Sequence, residues 1–123
     1  MYSPQVLDHF EHPRNAGSIA SPDAVAHCEN PVCGDVLKLT VKIIGGKIAE
    51  VRFMAKGCVP AMACASALTE LVQGRSLDEA HRTNKDDVIR AVRELPPASG
   101  HAADLAIETL RALLAQLGPA APR

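Results

Sequence analysis

The chain has no excess of either charge. Its 123 residues carry 13 Lys and Arg against 14 Asp and Glu, a net charge of −1 that gives no electrostatic basis for binding nucleic acid or an anionic membrane surface. It also lacks any uninterrupted apolar run near the roughly 18 residues that a membrane helix requires. Asp8, Glu11 and Arg14 interrupt the N-terminal apolar residues, so neither a span nor an export signal is expected and the chain reads as cytoplasmic. In a reducing compartment its four cysteines are expected as free thiols or ligands, not as disulfides. No internal repeat is apparent. The length suits one domain over residues 1–118, with a frayed tail at 119–123.

What is present reads as an α+β sequence. Val6, Leu7 and Phe10 fall at helical spacing over 3–11, with Ser3 as N-cap and Pro4 at the first helical position. His12 to Gly17 and Ser21-Pro22-Asp23 are irregular, and 25–29 reads as a short edge strand. Leu37, Leu39, Val41 and Ile43 alternate with polar residues, as do Ala49, Val51 and Phe53, which predicts two strands joined at Gly45-Gly46. A two-residue loop sets the apolar face of one strand against the charged face of the other. The expectation is therefore a three-residue loop, Ile44-Gly45-Gly46, pairing Leu37 with Phe53 and Leu39 with Val51 and placing Cys33 opposite Gly57. Pro60 opens a helix through Gln73, and Ser76 with Glu79 and Asn84 with Asp87 have capping-box spacing, the second helix running to Glu94. Ala98-Ser99-Gly100 reads as a turn. Leu105, Ala106, Leu110, Leu113, Leu114 and Leu117 form the stripe of a last helix ending at Gly118-Pro119, and the order places helices on one face of the sheet.

The chemistry concentrates at the open end of the hairpin. Cys33 lies in a loop beside Gly34, and Cys58 follows Gly57 near a helix N-terminus, where the helix dipole and Lys56 favour a thiolate. Asp35 shares a face with Cys33 and supplies a hard oxygen, while His101, just before the last helix, supplies a nitrogen if that helix packs on the hairpin end. Two thiolates, an imidazole and a carboxylate suit zinc, ferrous iron or the outer ligands of a two-iron cluster. Buried cysteines also serve as small apolar residues, so the residues alone leave both readings open. Cys64 is about 240° around the helix from Cys58 and reads as core, whereas Cys28, five residues before Cys33, is a candidate substitute ligand, as Cys64 would be only after a rearrangement. His9, His12, His27 and His81 have no spacing that singles them out.

Tyr2-Ser3, Asp8 through Gly17, Pro31-Val32-Cys33-Gly34-Asp35, Lys56-Gly57-Cys58, Leu68-Thr69-Glu70, Gly74 through Ala80 and Leu95-Pro96-Pro97, in this order, resemble the iron–sulfur cluster scaffold family of IscU, SufU and the N-terminal domain of NifU. The resemblance implies a three-stranded antiparallel sheet with helices. It further implies assembly of a [2Fe-2S] cluster from iron and from persulfide sulfur delivered by a cysteine desulfurase, with transfer to acceptor apo-proteins. Cys33, Asp35 and Cys58 match three metal-holding positions of that family, and zinc with a persulfide carried on Cys58 or Cys33 is the SufU-like alternative. The family's His-Cys is here His101-Ala102, so the thiol associated with receiving sulfur is absent. Three readings follow: His101 completes the site with Cys33, Asp35 and Cys58; Cys28 or Cys64 replaces the missing thiolate; or the chain binds metal without building clusters. The first needs no rearrangement and is preferred. Leu95-Pro96-Pro97 resembles the segment gripped by an Hsp70-type chaperone, but the family's following Val-Lys is Ala98-Ser99 here, and ending one helix is reason enough for the prolines.

Overall fold

The computed structural model describes residues 2–32 and 34–117. Helix α1 (Pro4–Glu11) starts as expected, with the Ser3 hydroxyl accepting the Val6 amide and Pro4 in the first turn. Strands β1 (Ala24–Glu29), β2 (Val36–Ile44) and β3 (Lys47–Lys56) form one antiparallel sheet in the order β1-β2-β3. Then come α2 (Val59–Val72), α3 (Leu77–His81), α4 (Lys85–Ala91), a 3₁₀ turn (Pro97–Ser99) and α5 (Gly100–Gln116). This is the expected α+β architecture. Leu37, Leu39, Val41, Val51 and Phe53 bury one sheet face against Leu68 and Val72 of α2 and Leu110, Leu113 and Leu114 of α5. Among the described residues no helix is long and apolar enough to cross a membrane.

The hairpin corrects the expected register. Its turn is the two-residue Gly45-Gly46, both at positive φ (61° and 75°), the backbone that matches strand twist and that glycine adopts without strain. Ile44 pairs with Lys47 and Ile43 with Ile48, but Lys42 pairs with Glu50, so Ala49 is an extra residue in a bulge. The bulge turns Ile48 into the core and Ala49 out. It thereby aligns the apolar faces that a plain two-residue loop would oppose, pairing Leu39 with Phe53 and Val41 with Val51. Both capping boxes are formed, yet α4 stops at Ala91 and not at Glu94, since Arg93 takes a left-handed φ of 74°. The segment before the last helix is wound rather than a simple turn, and α5 begins at Gly100, so His101 stands inside its first turn. That helix ends at Gln116, and the expected tail at 119–123 lies outside the described residues.

Helix α2 is buried on most sides because a second layer covers it. Val6 of α1 and Val92 pack on Ala63 and Ala67, the small side chains admitting close helix approach. The segment between α1 and β1 is pinned by polar contacts: Ser66 Oγ accepts the Arg14 amide at 2.9 Å and lies 2.8 Å from His9 Nδ1, and Asn15 Nδ2 donates to Thr69 Oγ1. Asn15 O and the Gly17 amide then bond both sides of Phe53, covering that part of the β3 edge.

Ser66→Ala is expected to cost about 1–3 kcal/mol by urea unfolding, because it strips a partner from the buried His9 ring and from the Arg14 amide. Burial, with Arg14 nearby, lowers the pKa of His9. The unfolded chain therefore binds the extra proton first, and the stability held above about pH 6.5 is lost as pH falls from there toward the lower pKa of the folded state. The urea midpoint of the wild type should drop more between about pH 7.5 and pH 5.5 than that of His9→Gln.

Candidate metal centre

Three chain segments meet at the end of the sheet opposite the glycine turn. Asp35 precedes β2, and its carbonyl accepts the Asn30 amide at 2.8 Å, extending the β1–β2 ladder by one pair. Asn30 bonds the residues that follow it, accepting the Gly34 amide on its carbonyl and the Val32 amide on its side chain. Gly34, at φ 75°, makes the turn that returns the chain to β2. Val36 pairs with the exposed Lys56 as the last rung of the hairpin, which sets Asp35 level with Gly57.

Gly57 does more than permit a turn. A Cβ at this position would stand 2.2 Å from Asp35 Oδ1, on a backbone with φ of 152°. The carboxylate occupies the space that any other residue's side chain would need. Cys58 follows as N-cap of α2, and Asp35 Oδ1 accepts its amide at 3.2 Å while Oδ2 accepts its thiol at 3.3 Å. His101 Nε2 comes within 4.0 Å of Asp35 Oδ2 from the start of α5. Asp35 is 4% exposed.

One ligand atom from each of Asp35, Cys58 and His101 lies within 4.8 Å of the other two, close enough to share one ion. A carboxylate, a thiol and an imidazole make a mixed hard and soft donor set, which fits ferrous iron or zinc and not calcium or magnesium. Cys33, the fourth expected donor, lies outside the described residues. Cys64 is fully buried in α2, its thiol pushed up to about 12 by burial, and stands apart from the trio. Cys28 is half-buried in β1, opposite Leu37, and also lies outside the trio. Ala102, beside His101, is buried in the main core, so its position adds only a methyl group.

The expectation that the helix start favours a Cys58 thiolate is corrected. Burial of the thiol raises its pKa, the Ala61 amide at the helix start lowers it, and the Asp35 carboxylate raises it again. The helix effect is outweighed chiefly by burial of the thiol, to which the Asp35 carboxylate, 23 residues away in sequence, adds. Residue reading also missed why Gly57 is required; the clue was the Gly-Cys pair itself, whose first member leaves room for a neighbour. Leu95 packs against both core clusters, and Pro97 opens the 3₁₀ turn.

Residues 1–118 match the family model described as the NifU-like N terminal domain. The chain belongs to that family. It is 39% identical over 111 residues to the iron-sulfur cluster assembly scaffold protein IscU 1 of Archaeoglobus fulgidus, covering 90% of this chain and 72% of the relative. To the iron-sulfur cluster assembly scaffold protein IscU of Escherichia coli K12 it is 41% identical over 118 residues, covering 93% of this chain and 91% of that protein. A crystal structure of a NifU-like protein (N-terminal) from Brucella abortus superposes with a TM-score of 0.77 at 18% identity, over 93% of this chain and 92% of that one, which shows the shared fold.

Gly57→Ala is expected to force the Asp35 carboxylate off the Cys58 amide, costing about 1–3 kcal/mol of stability through the unsatisfied buried acceptor. Thermal unfolding measures this. Cobalt(II) titration of the same variant should show affinity lowered by about tenfold or more, since the ligand's support is displaced.

Proposed function

We propose that this chain is a scaffold or carrier for iron–sulfur clusters, binding iron or a [2Fe-2S] cluster and passing it to acceptor apo-proteins. The observation that carries this reading is the convergence of Asp35, Cys58 and His101 within 4.8 Å at an open end of the sheet, in a chain of this family. A carrier must hold its cargo firmly enough to stabilise it and openly enough to release it. Asp35 is buried, whereas Cys58 is exposed and His101 half-buried, so one ligand is anchored while two face the direction of delivery. His101 completes the ligand set together with Cys33, Asp35 and Cys58, and the sulfur comes from a cysteine desulfurase.

Binding is expected to release the Cys58 proton, because only the thiolate ligates, and to turn the Asp35 carboxylate from thiol acceptor to ligand. The residues need little movement for this. Asp35 stays held by the Cys58 amide through Oδ1, leaving Oδ2 toward the shared position.

Purification without oxygen, followed by metal and acid-labile sulfide analysis and an ultraviolet–visible spectrum, tests the reading. Iron with sulfide and visible charge-transfer bands support the scaffold. Colourless protein with stoichiometric zinc indicates instead the sulfur acceptor with Cys58 or Cys33 carrying the persulfide, and metal-free protein that cannot be reconstituted sinks both. Among variants, Cys58→Ser should abolish metal binding and His101→Ala should weaken it by about tenfold or more, while Cys64→Ser leaves it intact. Equilibrium titration with zinc measures each.

A further inference from the structure

The donors of the candidate centre differ in what holds them. Asp35 is buried and bonded to the Cys58 amide, Cys58 is the N-cap of α2, and His101 stands in the first turn of α5. Each is placed by a regular element or by the core. The loop between β1 and β2, in which Cys33 lies, has neither support: Pro31 and Gly34 are exposed and Val32 is 91% exposed, so these residues gain no order from apolar burial.

Hydrogen bonds order the loop instead, and among the described residues those within it all run to Asn30. Its amide donates to the Asp35 carbonyl at 2.8 Å, its carbonyl accepts the Gly34 amide at 2.7 Å, and its side-chain oxygen accepts the Val32 amide at 3.0 Å. The first two bonds use the backbone and the third depends on the residue type. A short side chain with an acceptor at this reach is Asn or Asp. Pro31 adds stiffness, since its ring fixes its own φ and keeps Asn30 extended in continuation of β1. A loop already closed in this way presents a ligand without first losing conformational freedom, whereas a slack one spends part of the binding free energy on becoming ordered.

Resting on the scaffold reading above, in which Cys33 is one of four donors, we propose that Asn30 is a positioning residue of the metal centre, its side-chain oxygen clamping the loop so that Cys33 joins the ion at little ordering cost. Asn30 is not itself a donor in this set. It acts through the loop alone, so its loss weakens one donor and leaves Asp35, Cys58 and His101 in place.

The test measures cobalt(II) affinity in wild type, Asn30→Ala, Asn30→Asp and Cys58→Ser. The first three are then loaded with cobalt to equal saturation and treated with iodoacetamide, and the labelled cysteines are identified peptide by peptide. Circular dichroism verifies the fold, which a substitution beside an exposed loop should leave unchanged. Asn30→Ala is expected to bind cobalt about three- to tenfold more weakly, and its Cys33 to be alkylated faster by a similar factor while Cys58 stays protected as in wild type. Asn30→Asp is expected to restore the protection of Cys33, because its carboxylate accepts the same amide at the same reach. A merely structural role predicts another pattern, with Cys33 and Cys58 deprotected together and no rescue by Asp. That pattern overturns the proposal, as does an Asn30→Ala whose Cys33 stays as protected as in wild type. Wild type in which cobalt protects Cys58 and not Cys33 overturns it too, while sparing the other three donors. Cobalt binding unchanged in Cys58→Ser sinks the scaffold reading itself, a failure distinct from that of Asn30.

Discussion

Asp35 is a carboxylate at 4% exposure, and burying such a group is tolerable only if its oxygens are engaged. It takes the Cys58 amide on one oxygen and the Cys58 thiol on the other, with His101 approaching the second. These partners belong to the junction between β3 and α2 and to the first turn of α5, so satisfying one side chain fixes three separate segments. The same contacts that make burial affordable gather the donors. Without Gly57 the arrangement fails sterically, because the carboxylate lies where a side chain would begin.

The level at which Asp35 meets Gly57 is decided at the other end of the hairpin. Between the glycine turn and Val36 the two strands run for eight residues, about 27 Å, and every rung transmits the register set by the turn and the bulge. If Ala49 were paired instead of extruded, each β3 residue would shift by one place, and the side-chain period of two would invert the faces. Asp35 would then stand level with Lys56, and the core residues Val51 and Phe53 would turn to solvent. Hydrophobic burial therefore enforces the register that the site requires. Covering the β3 edge with Asn15 and Gly17, and with the Gly74-Arg75 segment bonded to Ile48, protects the strand on which this depends.

Helix starts were legible because their signals are local. Ser3, Ser76 and Asn84 each bond an amide a few residues ahead, and the sequence carries both partners of each box. The register was not legible, because Ala49, Val51 and Phe53 keep a regular alternation that conceals the extra residue; only the buried Ile48 breaks it. The end of α4 was missed since Arg93 adopts a left-handed backbone without the glycine that would announce it. At the site, residue types and order pointed to Asp35, Cys58 and His101, and the structure places these three together. The state of the Cys58 thiol depends first on its burial and then on Asp35, both set by tertiary packing, and so could not be read from the Gly-Cys pair and the helix that follows.

With Ala102 in place of a thiol, the described donors of the site carry little net negative charge around a divalent ion. Asp35 and a Cys58 thiolate together carry two negative charges and His101 ligates as a neutral ring, so a divalent ion is neutralised by these three alone. Each added thiolate leaves a net negative charge, which a buried pocket disfavours and an exposed one tolerates. Cys58 and His101 are both solvent-accessible, on the side where added charge would be screened. The three donors alone would therefore balance one divalent ion, and the solvent-accessible side offered by Cys58 and His101 is where additional negative charge would cost least.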